Sequence, residues 1–176
     1  IDKNTYFTET EKIGYIQKQK SDIYIPKKMT EELATVCGIL ISPCTNIKVK
    51  DKDKLVVTCK DRITNKIFIR YIRDLFQTKQ KVVVQDDNYC RVFSLEIIEY
   101  LENLCGLEHK TQKIHSSLLQ ANRGIQMSFL NGLIMAEEEN ITGTKNFSYL
   151  YKIVSKDVSN QIESILCLYG YSPFIK

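Results

Sequence analysis

Residues 33–41 read LATVCGILI, an apolar run that carries a single glycine, Gly38, near its centre. Apolar residues recur at helical spacing from residue 33 onward, and Pro43 stops the predicted helix. Residues 126–135 read QMSFLNGLIM and repeat the pattern around Gly132. A glycine inside a helix costs about 1 kcal/mol relative to alanine, so something must offset that cost in both segments. The sequence therefore predicts two glycine-bearing helices that pack closely against each other.

A second pair of motifs indicates an internal duplication. The residues VTCKD at 57–61 correspond to IVSKD at 153–157. The two glycines are 94 residues apart (132 − 38), and the two motifs end 96 residues apart (157 − 61). Two nearly equal offsets predict a duplicated unit with a short insertion and a pseudo-twofold axis between the glycine-bearing helices. Chance glycines in two core helices are the alternative.

Helical and strand periodicities predict an α+β fold. The first half is predicted to run helix, strand, strand, helix, strand, strand, helix, over residues 30–42, 47–50, 55–59, 63–76, 81–85, 89–93 and 94–104. The second half is predicted to hold a helix, a strand and a helix, with the start of another strand, over residues 125–135, 147–154, 158–168 and 171–175.

The chain is predicted to have four segments. Residues 1–29 form a polar, lysine-rich lead-in arm with a short strand near residues 23–25, and residues 30–105 form a first repeat. Residues 106–124 form a less regular connection, and residues 125–176 form a second repeat that lacks its final hairpin and helix. Because the first residue is isoleucine, which is not a translation start, we expect the chain to be a piece of a longer protein.

Composition excludes several classes of protein. The chain is 43% hydrophobic and 26% charged, which is typical of a globular domain, and its net charge of +4 permits nucleic-acid binding without requiring it. The six cysteines form no C-x-x-C motif and only two histidines are present, so we expect buried, reduced thiols rather than a zinc site. With no signal peptide and no apolar run of about 20 residues, we expect no membrane association and an intracellular protein, nuclear or cytoplasmic.

Four lysines at every second position indicate a basic surface. A strand through Lys48, Lys50, Lys52 and Lys54 would present all four on one face and point Ile47 and Val49 to the core. A turn among the lysines would still cluster them at a hairpin tip. Such a face suits phosphate contacts. The alternative is a solvated strand face whose charge the intervening aspartates partly cancel.

These segments resemble the LAGLIDADG homing endonucleases over residues 30–176. Residues 30–41 and 129–137 resemble the two signature helices of intein endonucleases, residues 112–119 resemble the family's Lys-x-Ile-Pro segment, and residues 157–171 resemble its late helix. The resemblance is strongest to the inteins of fungal vacuolar ATPases and to the mating-type-switching endonucleases. It implies two α-β-β-α-β-β-α repeats that pack through Gly38 and Gly132, and a monomer with internal pseudo-twofold symmetry.

The resemblance also implies a partner, a metal and catalytic residues. Members of the family bind double-stranded DNA through two antiparallel sheets, and an acidic residue at the end of each signature helix holds Mg²⁺. The first acidic position falls on Pro43, which has no carboxylate, and the second falls on Glu137, the candidate metal ligand and catalytic residue. The family lysine falls on Gln112, with Lys113 next to it as a catalytic candidate, and His115 replaces the proline.

The DNA-contacting candidates are the strand lysines together with basic residues that flank the later strands. They are Lys48, Lys50, Lys52, Lys54, Lys60, Lys81 and Arg91.

The departures from the family pattern predict a degenerate homing-endonuclease domain of an intein or mobile element. We expect it to bind duplex DNA with cleavage lost or weak and with no cofactor, because one side of a two-metal site has no carboxylate. An alternative is an active or nicking endonuclease that uses Glu137 and Mg²⁺. Another is a structural module recruited into a larger protein or ribonucleoprotein assembly, which the low net charge favours. The rest of an intein or a host protein is a further expected partner, because the splicing residues are not in this sequence.

Overall fold

A computed structural model of the chain describes most of residues 23–171. The described ranges are 23–50, 54–59, 61–78, 82–85, 89–108, 111–136 and 155–171. The predicted strand at 147–154 lies outside them, as do most of the predicted strand at 171–175 and the two predicted hairpin tips at 51–53 and 86–88.

The described part of the chain contains ten helices and strands. In chain order they are α1 (Glu31–Ile41), β1 (Asn46–Lys50), β2 (Lys54–Thr58), α2 (Arg62–Phe76), β3 (Val83–Gln85), β4 (Cys90–Val92), α3 (Leu95–Cys105), α4 (Ser116–Leu119), α5 (Arg123–Met135) and α6 (Lys156–Leu168). The predicted α+β class and the order of elements in the first half are confirmed. The short helix α4 lies within the stretch that was predicted to be irregular.

Polar side chains at the helix starts fix where the helices begin. The Thr30 hydroxyl accepts a hydrogen bond from the Leu33 N–H (3.2 Å) and caps α1, and Ser94 caps α3 through the Ile97 N–H (3.3 Å). Such caps satisfy backbone donors that have no partner within the helix. Helix α1 ends at Ile41, two residues before Pro43, the residue predicted to stop it.

The four strands form one antiparallel sheet in the order β1-β2-β4-β3. Its inner face is apolar and packs toward the helices, with fully buried side chains at Leu55, Val57, Val83, Cys90 and Val92. Because side chains alternate along a strand, the residues between these positions point to the opposite, outer face. The sheet therefore separates an apolar core from a second surface that is open to solvent.

Helices α1 and α5 form the most extensive helix contact described, and their glycines face each other. A Cβ atom added to Gly38 would overlap the Phe129 carbonyl oxygen and lie 2.8 Å from the Leu133 nitrogen, and one added to Gly132 would overlap the Thr35 carbonyl oxygen. Only glycine allows the two backbones to approach this closely. The close approach that the sequence predicts is therefore present.

The contact between α1 and α5 is reciprocal. Adding 94 to residue 38 gives 132, and adding 94 to residue 35 gives 129, so the Gly38–Phe129 contact becomes the Gly132–Thr35 contact under one offset. A twofold relation between two helices has this property, because each partner then presents the same surface to the other. The helix pair is thus pseudo-symmetric at the level of individual contacts.

Helices α2 and α6 correspond under the same offset, which corrects the predicted alignment. Their N-caps are Asp61 and Ser155, which are 94 residues apart (155 − 61), whereas Asp157 lies within the first turn of α6. Asp61 and Asp157 therefore occupy different positions in their helices, although the predicted 96-residue alignment treats them as equivalent. Both helices also bury the residues three, four and seven positions after the cap.

Two further expectations from the sequence are wrong. The strand predicted near residues 23–25 does not form, because the Tyr24 N–H bonds to the Phe76 carbonyl at the end of α2 (3.3 Å) instead of to a strand. This segment nevertheless packs on the core, where Ile25 is buried. Val49 was expected in the core, but it is 43% exposed because β1 is the edge strand of the sheet.

Four of the six cysteines are buried as expected, whereas Cys44 is half-buried and Cys167 is exposed. Cys37, Cys59, Cys90 and Cys105 are buried free thiols, but Cys167 is exposed. Its apolar neighbours suggested burial, yet the buried stripe of α6 consists of other residues. None of the helices in the described ranges has the length and apolar character that crossing a lipid bilayer requires.

Candidate functional site

The outer face of the sheet forms a basic groove of about 300 Å³. Eight residues from β1, β2 and β4 and the residue before β4 line it, namely Asn46, Lys48, Lys50, Lys54, Val56, Thr58, Tyr89 and Arg91. Four of these described lining residues are cationic, and none is acidic. We refer to this set of eight residues as the basic groove.

Strand register explains why these side chains meet. Lys48 pairs with Val56 across β1 and β2, Val56 pairs with Arg91 across β2 and β4, and Arg91 pairs with Val84 across β4 and β3. Directly paired residues point to the same side of an antiparallel sheet. The middle of the groove is therefore a single cross-strand row that starts at a lysine and reaches an arginine.

A second row brings two lysines directly opposite each other. Lys50 pairs with Lys54 across the β1–β2 hairpin. Like charges at paired positions destabilise a sheet, so this pair works against folding stability. An anionic ligand would relieve the repulsion.

Aromatic rings hold two of the cations in place. The Lys54 ammonium lies 5.6 Å from the centroid of the Phe93 ring, and the Arg91 guanidinium carbon lies 4.6 Å from that of Tyr89. Arg91 also donates a hydrogen bond to the Tyr89 hydroxyl. Such contacts are worth about 0.5–1 kcal/mol at exposed sites and restrict where the charged group points. The groove therefore presents partly ordered charges.

The other basic residues proposed from the sequence do not all reach this groove. Lys52, Lys60 and Lys81 lie outside the described residues. Lys113 is exposed between α3 and α4, where its backbone N–H donates to the Cys105 carbonyl (2.9 Å), and it is not part of the groove lining.

His115, which replaces the proline of the family pattern, has a local structural role. Its Nδ1 accepts a hydrogen bond from the Ser117 N–H (3.2 Å) and caps α4. Burial lowers the pKa of this imidazole, and the charge of Lys113 lowers it further. The neutral ring is the form that can accept the capping bond.

The ends of α1 and α5 do not offer a matched pair of metal ligands. Pro43 lies in a turn just past α1, and Glu137, the candidate ligand after α5, lies outside the described residues. The Asp61 carboxylate caps α2, where its Oδ1 accepts hydrogen bonds from the Ile63 and Thr64 N–H groups (2.7 and 2.9 Å). Within the described ranges, no three His, Cys, Asp or Glu side chains come together in a way that could hold a metal ion. Because proline has no carboxylate, Pro43 cannot supply the first of the two expected acidic ligands.

The buried thiols are poor nucleophiles. Burial raises the pKa of both Cys59 and Cys90 to about 12. A hydrogen bond with Cys37 raises the pKa of Cys105 well above its ordinary value, and burial adds to this effect. Since the thiolate is the reactive form, these cysteines are suited to packing rather than to catalysis.

Basic residues in the sequence predicted only some of the residues that line the groove. Asn46, Val56, Thr58 and Tyr89 were not selected from the sequence, because their place on the outer face depends on pairing between strands that are distant along the chain. An aromatic residue two positions before Arg91 was the one signal that sequence reasoning could have used. Comparison of the chain with protein-family models and with curated proteins gives no match.

Proposed function

We propose that the chain is a LAGLIDADG-type domain that binds duplex DNA through the basic groove and has little or no cleavage activity. The observation that carries this proposal is the groove itself, with four cations and no carboxylate among its described lining residues. A cluster of four cationic side chains on an open sheet face suits a polyanionic ligand.

The dimensions of the sheet are compatible with duplex DNA. Neighbouring strands lie about 4.8 Å apart, so the outer face measures about 14 Å from β1 to β3. The major groove of B-DNA is about 12 Å wide and accepts a pair of β-strands. The β1–β2 pair, which carries Lys48, Lys50 and Lys54, can therefore enter the groove and reach its phosphates, whereas the full four-stranded face is wider than the groove.

The glycine contact between α1 and α5 supports the LAGLIDADG assignment independently of charge. Helices α1 and α5 meet reciprocally through Gly38 and Gly132. The caps of α2 and α6 are separated by the same 94 residues as these glycines. Both features are those expected of the duplicated architecture of this family. Two equivalent halves would present two sheets along one DNA duplex, so a monomer would suffice for binding.

Weak cleavage follows from the missing carboxylate. Hydrolysis with two metal ions needs acidic ligands on both sides of the scissile phosphate, and the first such position is Pro43. When bound, Mg²⁺ would stabilise charge on the phosphate, but Glu137 alone would have to hold it. We therefore expect binding without double-strand cutting.

The salt dependence of duplex binding tests the proposal. The affinity of the whole chain for a mixed-sequence duplex should fall steeply between about 50 and 200 mM salt, because phosphate contacts release counterions. Exchanging Lys48 and Lys50 together for glutamine should lower the affinity at every sequence and reduce the slope of log K against log salt by about two.

Lys66→Gln is the matched control. Lys66 is exposed on α2, which packs on the apolar side of the sheet, and it is not part of the groove lining. This variant should leave both affinity and salt slope unchanged. If the double variant behaves like this control, or if the native chain shows no salt-dependent duplex binding, the proposal is wrong and the structural-module alternative gains support.

Cleavage is measured separately with supercoiled plasmid and either Mg²⁺ or Mn²⁺. We expect the plasmid to stay supercoiled under conditions in which the chain binds it. Nicking by the native chain that Glu137→Gln abolishes would instead establish the nicking alternative, while leaving DNA binding intact.

A further inference from the structure

The two halves of the chain have the same spacing from the helix glycine to the next helix cap. Gly38 and Gly132 are 94 residues apart (132 − 38), and so are the caps of α2 and α6, Asp61 and Ser155 (155 − 61). Neither half therefore has an insertion between its glycine and its cap. Every residue of β1 and β2 has one equivalent in the sequence, 94 positions later.

The equivalent segment, residues 140–152, lacks most of the lysines of the basic groove. It lies outside the described part of the chain, so its chemical character is taken from the sequence. An identical Asn-Ile pair, at 46–47 and 140–141, agrees with the offset. The groove positions of β1 and β2 include three lysines, whereas their six equivalents include one, Lys152. The equivalents of Lys48, Lys50 and Lys54 are Thr142, Thr144 and Ser148.

Acidic residues precede this second segment. Residues 137–139 are three glutamates, at the positions equivalent to the uncharged residues 43–45 that precede β1. Carboxylates repel phosphate groups, and hydroxyls supply no charge to attract them. The first half therefore carries the charge that attracts a polyanion, and the equivalent stretch of the second half opposes it.

The described helices show the same difference in charge. Helix α2 contains four arginine or lysine residues and one aspartate, whereas its equivalent, α6, contains one lysine and two acidic residues. Their net side-chain charges are thus +3 and −1. Helix α2 packs behind the sheet, and charges within a Debye length of about 10 Å at 0.1 M salt add to the positive potential of the first half.

We propose that phosphate binding is confined to the first half of the chain, so that the basic groove takes about one turn of duplex DNA as its complete ligand. This inference rests on the proposed function and deepens it by naming the length of duplex that is bound. The five residues of β1 span about 17 Å, and one turn of B-DNA is about 34 Å long. The backbone of the chain is duplicated, but its phosphate-binding charge is not.

Lysine acetylation locates the phosphate contacts, because an amine that contacts phosphate reacts slowly with an acetylating reagent. The whole chain is acetylated with and without a saturating mixed-sequence duplex of about 24 base pairs, and each lysine is followed by mass spectrometry. Acetylation should fall at Lys48, Lys50 and Lys54 and stay unchanged at Lys145 and Lys152, the two lysines of residues 140–152. A duplex of about 12 base pairs, slightly more than one turn, should protect the same residues.

Two double variants measure the contacts through salt dependence. Lys48→Gln with Lys50→Gln should reduce the slope of log K against log salt by about two. Lys145→Gln with Lys152→Gln removes the same amount of charge from the second half and should leave the slope unchanged. Both are measured on the longer duplex, and circular dichroism checks that both variants fold.

The outcomes separate this inference from the proposed function. Protection of Lys145 or Lys152 by duplex, or a reduction of the slope by their double variant, overturns one-sided binding but leaves DNA binding through the basic groove standing. If both double variants keep the native slope, the groove is not the binding surface, and the proposed function falls together with this inference. Absence of any salt-dependent duplex binding by the native chain has the same consequence.

Discussion

Gly38 and Gly132 show how one missing atom determines the packing of two helices. A side chain at either position would collide with backbone atoms of the opposite helix, and backbone cannot rotate away as a side-chain end can. The cost of glycine within a helix is therefore offset by the contact that its small size permits. The sequence predicted this contact because Gly38 and Gly132 occupy matching positions in two similar apolar segments.

Gly38→Ala should destabilise the fold. The added methyl gains about 1 kcal/mol of helix propensity but must push α5 away from α1, and we expect a net loss of about 2 kcal/mol in the free energy of unfolding, measured by urea denaturation. Gly124→Ala is the control, because its added methyl would meet side-chain ends, the Glu31 carboxylate at 2.8 Å and the Asn122 amide oxygen at 3.3 Å, and no backbone atom. Equal stability of Gly38→Ala and the native chain would mean that the helices are not held at this distance.

At the scale of single elements, local signals predicted much of the fold. Thr30 and Ser94 were read as helix starts and are N-caps, and strand alternation placed β1 and β2 within one residue of their observed bounds. What failed depended on neighbours that sequence does not show. Val49 is exposed because its strand is at an edge, and the segment before Pro26 pairs with a helix end instead of a strand.

The sequence predicted only part of the candidate site, because the rest depends on pairing between strands. Lysines at alternate positions in β1 predicted one basic face from a local rule. Val56 and Val84 join that face only because β2, β4 and β3 pair in one particular register, in which Arg91 lies between them. Local periodicity cannot fix such a register, since pairing partners lie tens of residues apart along the chain.

Helix α4 should respond to pH through its cap. The pKa of His115 is lowered in the folded chain, so the unfolded chain binds more protons as pH falls through the ordinary histidine pKa of about 6.5. The cap therefore stabilises the fold above that pH, and this stabilisation is lost as the pH falls toward the lowered value. Unfolding free energies of the native chain and of His115→Asn, which can still cap without titrating, should differ in their pH slope in this window. Parallel slopes would show that the imidazole does not couple to folding.

At the scale of the whole molecule, the two halves share one core and are joined by hydrogen bonds as well as by the glycine contact. The Thr64 hydroxyl donates to the Met135 carbonyl (2.9 Å), and the Ile114 N–H donates to the Gln161 side chain (3.2 Å). One continuous cluster of buried apolar residues runs from Ile25 to Ile165. Because this one cluster includes residues from both ends of the described chain, the chain should unfold as a unit.

Hydrogen exchange of α3 and α6, one from each half, measures this coupling. Their slowest amides should open with the same free energy and the same dependence on urea. Thr64→Val removes the donor of the part-buried Met135 carbonyl and should lower both values together by about 1 kcal/mol. Thr78→Val is the control, because the buried Thr78 hydroxyl has no hydrogen-bond partner among the described residues, and its removal should cost nothing. If Thr64→Val lowers the protection of one helix alone, the halves fold independently, and the pseudo-symmetric pair is an interface between two domains rather than the centre of one.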